Sequence, residues 1–338
     1  MLETTKTNFD KLESRLLAIN SDQKNANDMS ELIYSLVVGD RTSLIMATGG
    51  SKVVAYYLQM LVEAYGGKGL ISQVIEPRDY FHRYDIDSFS RLAVISASGN
   101  TNGVNEALDS FKGEKFLVCE NKQDRDFDVI TWGNDSYEKE NSFISIASSL
   151  GPIVLMLDTV FALGGYEKGI IKEEMQEVDK LVSRLINLCK DKISNLPYSF
   201  KDEKIVHIMS GYDTRCACSS LESNLVEAGL CAPIIHDKGS FCHGRSTLVS
   251  RDTPVIYLSH KKNELDKLLL DNLPRECDKV YEFNTDDLDE CYFVKEFYLI
   301  LQMYYLSKKI AEDNNKDLTK PNYNKTLVPP LYKYRGKL

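Results

Sequence analysis

Six residues in two short stretches have the types and spacing of an oxyanion site: Thr48, Gly50 and Ser51 in TGGS, and Ser96, Ser98 and Thr101 in SASGNT. Hydroxyls and glycine backbone N–H groups gathered where a helix begins can hold a phosphate. The first N–H groups of a helix have no partner within it, and the helix dipole favours negative charge there. The flanking residues supply the necessary elements. Leu92, Ala93, Val94 and Ile95 form a short apolar run, as expected of a strand covered on both faces of a parallel sheet. Helical spacing then begins at Val104, Ala107, Leu108 and Phe111. Upstream, residues 43–47 (SLIMA) predict another buried strand, and Val53, Val54, Tyr57, Leu58 and Leu61 mark the helix after TGGS.

A hydroxyl ahead of a helix is most often a simple cap. Two strand, turn, helix units in one sheet say more, because ligands of open α/β sheets bind in the crevice beyond the carboxyl ends of the strands.

TGGS (48–51) and ISASGNT (95–101) resemble the phosphosugar-binding turns of the sugar-isomerase, or SIS, domain family. A second copy is legible downstream. Residues 204–209 (KIVHIM) predict a strand, Ser210, Gly211, Tyr212, Asp213 and Thr214 a turn, and Cys218, Leu221, Leu225, Val226 and Gly229 a helix. This turn lacks the serine-glycine-x-threonine pattern. The chain thus resembles the tandem SIS proteins: the isomerase half of glucosamine-6-phosphate synthase, the amino-sugar phosphate deaminases and the fructosamine phosphate deglycases. The resemblance implies an α/β fold of two flavodoxin-like domains, each a parallel sheet flanked by helices. It divides the chain into an N-terminal helical region (1–40), a phosphate-binding domain (41–165), a helical linker (166–200), a second domain with catalytic residues (201–312) and a tail over the active site (313–338).

The same resemblance assigns Glu227 as the proton-shuttling base and His243, sixteen positions later and followed by Gly244, as the ring-opening group. The family's C-terminal lysine corresponds to Lys325 in KPNYNKTLV, with Lys320 and Lys333 as substitutes, and Ser142 or Ser145 overlays a serine that closes the sugar site. Two positions depart from the pattern: Arg245 stands where proline is usual, and Asn224 where a lysine precedes the glutamate. The residue types suit the reaction. A carboxylate with a raised pKa can move a proton between C1 and C2, an imidazole titrates near neutrality, and a lysine can stabilise developing negative charge or form a Schiff base. No metal or redox cofactor is required, and none is expected.

Composition sets the outer limits. A chain of 338 residues with 43% hydrophobic content can bury two cores. A net charge of −9 gives no general attraction to nucleic acid, so a phosphate must be held locally, by backbone, hydroxyls and cations such as Lys52, Arg215 or Arg245. The eight cysteines lack framework spacing, which favours reduced thiols and a cytoplasmic protein. Cys216 and Cys218 have no second close pair to complete a zinc site, and Cys242 reads as a packed small hydrophobe. The N-terminus has no continuous apolar region, and the apolar stretch 144–163 contains Gly151, Pro152 and Asp158, so a core helix is expected and no membrane association. GGSK (49–52) lacks the ending of a P-loop, and no G-x-G-x-x-G opens a helix.

Helices are expected over 9–38, with a break within 20–27, and over 144–163, 170–196 and 294–311. The first sheet should span 43–129, with strands near 70–75 and 115–120. Strands of the second are expected at 204–209, 232–236, 254–259 and 279–283. Functionally, the chain reads as a homodimeric phosphosugar isomerase or amino-sugar phosphate deaminase or deglycase. The alternative is a non-catalytic phosphosugar sensor that regulates a partner protein.

Overall fold

The structure, a computed structural model, describes residues 2–38, 42–66, 71–82, 86–140, 142–162, 172–197 and 199–320. Lys325 and Lys333 lie outside the described residues. The described chain divides into two compact units. One contains residues 11–140 and 145–183; the other contains α1 (Leu2–Asp10), residues 142–144 and the chain from Arg184 onward.

The first unit is built on five strands: β1 (Ser43–Met46), β2 (Ser72–Ile75), β3 (Arg91–Ile95), β4 (Glu114–Cys119) and β5 (Asp128–Thr131). They pair in the order β2-β1-β3-β4-β5, every pair parallel. The apolar runs of β1 and β3 are buried at every position, as a sheet covered on both faces requires. Leu44, Met46, Leu92, Val94, Leu117 and Cys119 form one face and pack with Tyr80, Val104, Ala107, Leu108 and Phe111. These last come from α5 (Pro77–His82) and α6 (Asn102–Ser110), with Phe111 just after it. The alternate residues Ile45, Ala93 and Val118 are equally buried. Each fully buried Leu, Ile or Val contributes about 1.5–3 kcal/mol.

The unit's other helices are α2 (Leu12–Asn20), α3 (Gln23–Val37), α4 (Ser51–Tyr65), α7 (Ile146–Phe161) and the start of α8 (Lys172–Ser194). The break between α2 and α3 is confined to Ser21 and Asp22, because the Asp22 carboxylate accepts from the Lys24 and Asn25 N–H groups (3.0 and 3.2 Å) and starts a new helix at once.

The second unit repeats the plan with four strands: β6 (Ile205–Ser210), β7 (Ala232–Asp237), β8 (Val255–Leu258) and β9 (Val280–Phe283), in the order β7-β6-β8-β9 and all parallel. Its helices include α9 (Arg215–Glu227), α10 (Glu264–Glu276) and α11 (Tyr292–Asp313). Helix α10 has no counterpart in the sequence reading. It is started by a reciprocal cap in which Asn263 accepts from the Asp266 N–H (2.9 Å) and Asp266 accepts from the Asn263 N–H (3.0 Å). Its Leu269 and Leu273 cover Met209, Val255 and Tyr257 on one face of the sheet.

In each sheet the first strand has the second on one side and the third on the other, so the order reverses between β1 and β3 and between β6 and β8. That reversal opens a crevice at the carboxyl ends of the strands.

Candidate functional site

In the five-stranded unit the two hydroxyl-bearing turns flank this reversal. Met46 of β1 pairs with Val94 of β3, so Thr48–Ser51 and Ser96–Thr101 emerge side by side from neighbouring strands about 4.8 Å apart. Gly49 (φ +55°) lets the first turn reach α4, and Gly99 (φ +64°) does the same for the second. A Cβ on Gly99 would stand 3.3 Å from Leu117 and 3.4 Å from Cys119, so side chains beneath the turn also favour glycine.

Ser96 is buried, and its Oγ accepts from the Gly99 N–H (3.2 Å), which shapes the turn. Ser98, Thr101 and Thr48 are exposed, while Gly50 and Ser51 are half-buried. Thr101 is the N-cap residue of α6, yet its side chain makes no capping bond. Thr101 is therefore exposed at the crevice beside the start of α6, where an anion would be favoured.

Sequence reasoning missed two side chains here. Gln123 and Arg125, in the β4–β5 connection, both reach the Ser-rich turn. Gln123 Nε2 donates to the Ser98 carbonyl (3.4 Å), and its Oε1 accepts from Asn100 Nδ2 (3.3 Å). Arg125 Nη2 donates to the Gly99 carbonyl (3.4 Å), Asn100 Oδ1 (3.3 Å) and Asn105 Oδ1 (2.7 Å). Nothing in ENKQDRDF marked them, since the contact is made by a loop more than twenty residues along the chain.

The three cations proposed from sequence are engaged elsewhere. Lys52 is ion-paired with Glu76, Arg215 stacks on the Tyr212 ring (3.7 Å) and donates to the Tyr212 carbonyl, and Arg245 donates to the Ile235 carbonyl (2.9 Å). Ser145 is the N-cap residue of α7, whose first turn is occupied from within: Glu140 Oε2 accepts from the Ala147 N–H (2.8 Å). A separate cavity of about 230 Å³ lies against the edge strand β5. Its carboxylates Asp28, Glu31 and Asp128 against one lysine, Lys24, make it a poor place for an anion.

The four-stranded unit treats the corresponding place differently. Its turn after β6 leads into α9, and there Glu296, fully buried on α11, accepts from the Ala217 N–H with Oε1 (3.0 Å). Its Oε2 lies 2.8 Å from His260 Nε2, which also approaches the Asp213 carbonyl (3.0 Å). His260 Nδ1 meets Thr285 Oγ1 (3.2 Å), and the Tyr292 hydroxyl donates to the Asp213 carbonyl (2.6 Å). The protein's own carboxylate thus sits at this helix N-terminus.

Glu227 and His243 fall at opposite ends of this unit's sheet. Glu227 is the last residue of α9, close to the start of β7, and accepts from the Ser223 hydroxyl (2.6 Å). His243 is exposed in the loop after the far end of β7, and the six residues of that strand span about 20 Å. The fold therefore does not bring the pair together within one chain. The His243 loop is firmly anchored. Lys238 Nζ and the Tyr257 hydroxyl both donate to Asp266 (2.8 and 2.6 Å), and Phe241 packs edge-on against His236. Beneath it, buried His236 Nε2 and His207 Nδ1 lie 2.7 Å apart. Arg245, where the resemblance leads one to expect proline, ties the loop to the Ile235 carbonyl of the edge strand β7. Asn224, where the resemblance leads one to expect a lysine, is buried and donates to Ser307 (3.3 Å).

Lys320 is exposed. Cys242 is exposed, which corrects its reading as a packed residue; Cys216 and Cys218 are buried, and burial pushes the Cys218 thiol up to about 12. Among the described residues no group of three or more His, Cys, Asp or Glu could hold a metal ion, and no helix is long and apolar enough to cross a membrane.

No family model and no curated protein sequence matches this chain. Solved structures do. A protein of Clostridium difficile 630 proposed to be a phosphosugar isomerase matches with a TM-score of 0.71 at 14% identity, over 95% of this chain and 97% of the other. The C-terminal domain of glucosamine-fructose-6-phosphate aminotransferase from Francisella tularensis matches at 0.69 and 14%, over 94% and 98%. Glucosamine-6-phosphate deaminase from Thermotoga maritima matches at 0.63 and 16%, over 93% and 99%. At these identities the likeness is one of fold: this chain shares with those proteins an architecture of two parallel α/β sheets flanked by helices.

Proposed function

We propose that this protein binds a small phosphorylated sugar or amino sugar and catalyses aldose/ketose isomerisation, alone or coupled to loss of an amine. The observation that carries the reading is the pair of hydroxyl-bearing turns on adjacent strands β1 and β3, beside an α6 N-terminus that no side chain of its cap residue fills. Thr48, Gly50, Ser51, Ser96, Ser98 and Thr101 are the proposed phosphate-binding residues.

With the ester held, the His243 imidazole moves the proton that opens the ring. For an aldose, the Glu227 carboxylate takes the proton from C2. The C–H electron pair becomes the C1–C2 double bond of an enediol as the C1 oxygen is protonated. Return of the proton to C1, with loss of the O2 proton, leaves the ketose. With an amine at the reacting carbon the intermediate is an enolamine, and hydrolysis of the resulting imine releases the amine. Lys325 is proposed to stabilise developing negative charge.

The placement of Glu227 and His243 at opposite ends of β7 supports a homodimer in which the histidine serves the site of a neighbouring copy. The eight cysteines, none of them in a disulfide, suit a reducing, cytoplasmic setting.

Thermal-shift measurements with hexose, pentose and amino-sugar phosphates and their unphosphorylated counterparts, followed by exchange of the C1 or C2 proton in deuterated water, test the reading. Phosphate-dependent stabilisation with exchange is expected, and Glu227→Gln should slow exchange by roughly 10²–10⁴-fold while ligand binding persists. Stabilisation without exchange would favour the phosphosugar sensor, and no stabilisation by any phosphate ester would remove the reading.

A further inference from the structure

We infer that Arg125 is the positioning residue of the phosphate site: it turns the Ser-rich loop so that N–H groups rather than carbonyl oxygens face the anion, and it supplies the site's nearby positive charge. The inference rests on the phosphosugar reading above and adds to it a residue that does not belong to the loop itself.

The argument begins with what an anion would meet in this turn. A loop of successive peptides offers carbonyl oxygens as readily as N–H groups, and a carbonyl oxygen aimed at a phosphate repels it. Selective binding therefore needs the oxygens tied back. Arg125 and Gln123 do this from one side. Gln123 holds the Ser98 carbonyl, and Arg125 holds the Gly99 carbonyl together with the side-chain oxygens of Asn100 and Asn105. In a trans peptide the C=O and the following N–H point in opposite directions. The grip on the Gly99 carbonyl consequently turns the Asn100 N–H away from Arg125; apart from a long 3.4 Å approach to Ser98 Oγ, that N–H has no other bond among the described residues. Asn105 lies on α6, so the same guanidinium joins the turn to the helix whose dipole the anion would use.

Charge supports the assignment. The chain carries a net −9, and the cations nearest the turns in sequence are engaged: Lys52 with the Glu76 carboxylate, Arg91 with Glu114 and the Val38 carbonyl. Arg125 contacts only neutral acceptors on the loop and helix, so its charge is not cancelled by a carboxylate in those contacts. All three contacts are made by one guanidinium nitrogen, Nη2, whose N–H bonds are fixed in the guanidinium plane, whereas a lysine ammonium rotates freely on its stem.

The test compares wild type, Arg125→Lys and Arg125→Gln by calorimetric titration with fructose 6-phosphate, fructose and inorganic phosphate, with kcat and KM measured for any ester that turns over. Arg125→Gln should weaken both phosphate ligands by roughly tenfold or more and leave fructose unchanged, raising KM with little change in kcat. Arg125→Lys should recover part of the loss. Equal affinity for fructose 6-phosphate in wild type and Arg125→Gln would overturn the inference, as would a loss shared equally by fructose and its phosphate. If Arg125→Gln does not fold, Arg125→Lys decides alone, since it keeps the charge and loses the fixed planar donor: phosphate affinity equal to wild type would contradict a positioning role. Failure of wild type to bind any phosphate ligand would instead remove the phosphosugar reading, and this inference with it.

Discussion

The two sheets present the same crevice and fill it in opposite ways. At the reversal between β1 and β3, α6 starts after Thr101, which is exposed, as is Ser98, and whose side chain makes no capping bond. At the reversal between β6 and β8, the start of α9 already holds a carboxylate: Glu296, buried and bonded to the Ala217 N–H and His260. A helix N-terminus in this position favours an anion whichever molecule provides it. In one unit the cap residue's side chain does not fill the place, and in the other α11 fills it. The difference between them lies in a handful of residues: SASGNT against SGYDT in the turns, and one glutamate on a distant helix.

Exchanging side chains at the two helix starts should break this symmetry most plainly. Glu296→Ala leaves the Ala217 N–H without its acceptor in the interior, while His260 Nε2 keeps only the Asp213 carbonyl, and should cost about 1–3 kcal/mol, measured by urea unfolding, as an unsatisfied buried polar group does. Thr101→Val should change stability by less than about 0.5 kcal/mol, because the hydroxyl it removes makes no capping bond, yet weaken a phosphate ester roughly tenfold. A large loss of stability in Thr101→Val, or a negligible one in Glu296→Ala, would mean that the two helix starts are not built as described.

Acidity separates the units more gently. In the five-stranded unit, burial pushes the Glu140 carboxyl up to about 7, and burial together with Asp179 pushes Asp158 up to about 8. These groups bind more protons in the fold than in the unfolded chain, so the stability they contribute is present at low pH and is lost as pH rises through 7 and 8. In the four-stranded unit, burial, His207 and Arg245 hold His236 down to about 4 from its ordinary 6.5. There the unfolded chain binds more protons, so stability is present above 6.5 and lost as pH falls from 6.5 through about 4. Amide exchange read separately for each sheet should show the five-stranded unit opening first on the alkaline side and the four-stranded unit first on the acid side. The same order on both sides would contradict this division.

Much of the positioning framework was legible in the sequence because it is local. The buried strands β1 and β3, the turns after them and the duplicated plan follow from apolar runs and from glycine and serine placement within a few residues. The features that distinguish the two crevices are long-range. Glu296 meets Ala217 across 79 positions, and Arg125 meets Asn105 across 20, so neither declares itself in a local pattern. Helix α10 was hidden by Pro274 and by a blurred apolar pattern, with Leu265 and Leu268 exposed and Asp266 buried, and is marked by its Asn263–Asp266 cap instead. The sixteen-residue spacing between Glu227 and His243 was readable, but spacing along a chain is not proximity: a helix end, a turn and a whole strand lie between them.

The most direct test of the central claim is amide hydrogen exchange of the wild-type protein with and without fructose 6-phosphate, fructose serving as the control. The account predicts phosphate-dependent protection of the backbone at 48–53 and 96–104, with the turn at 211–217 unchanged because Glu296 already occupies that place. Protection centred on 211–217, or equal protection by fructose and its phosphate, would contradict it.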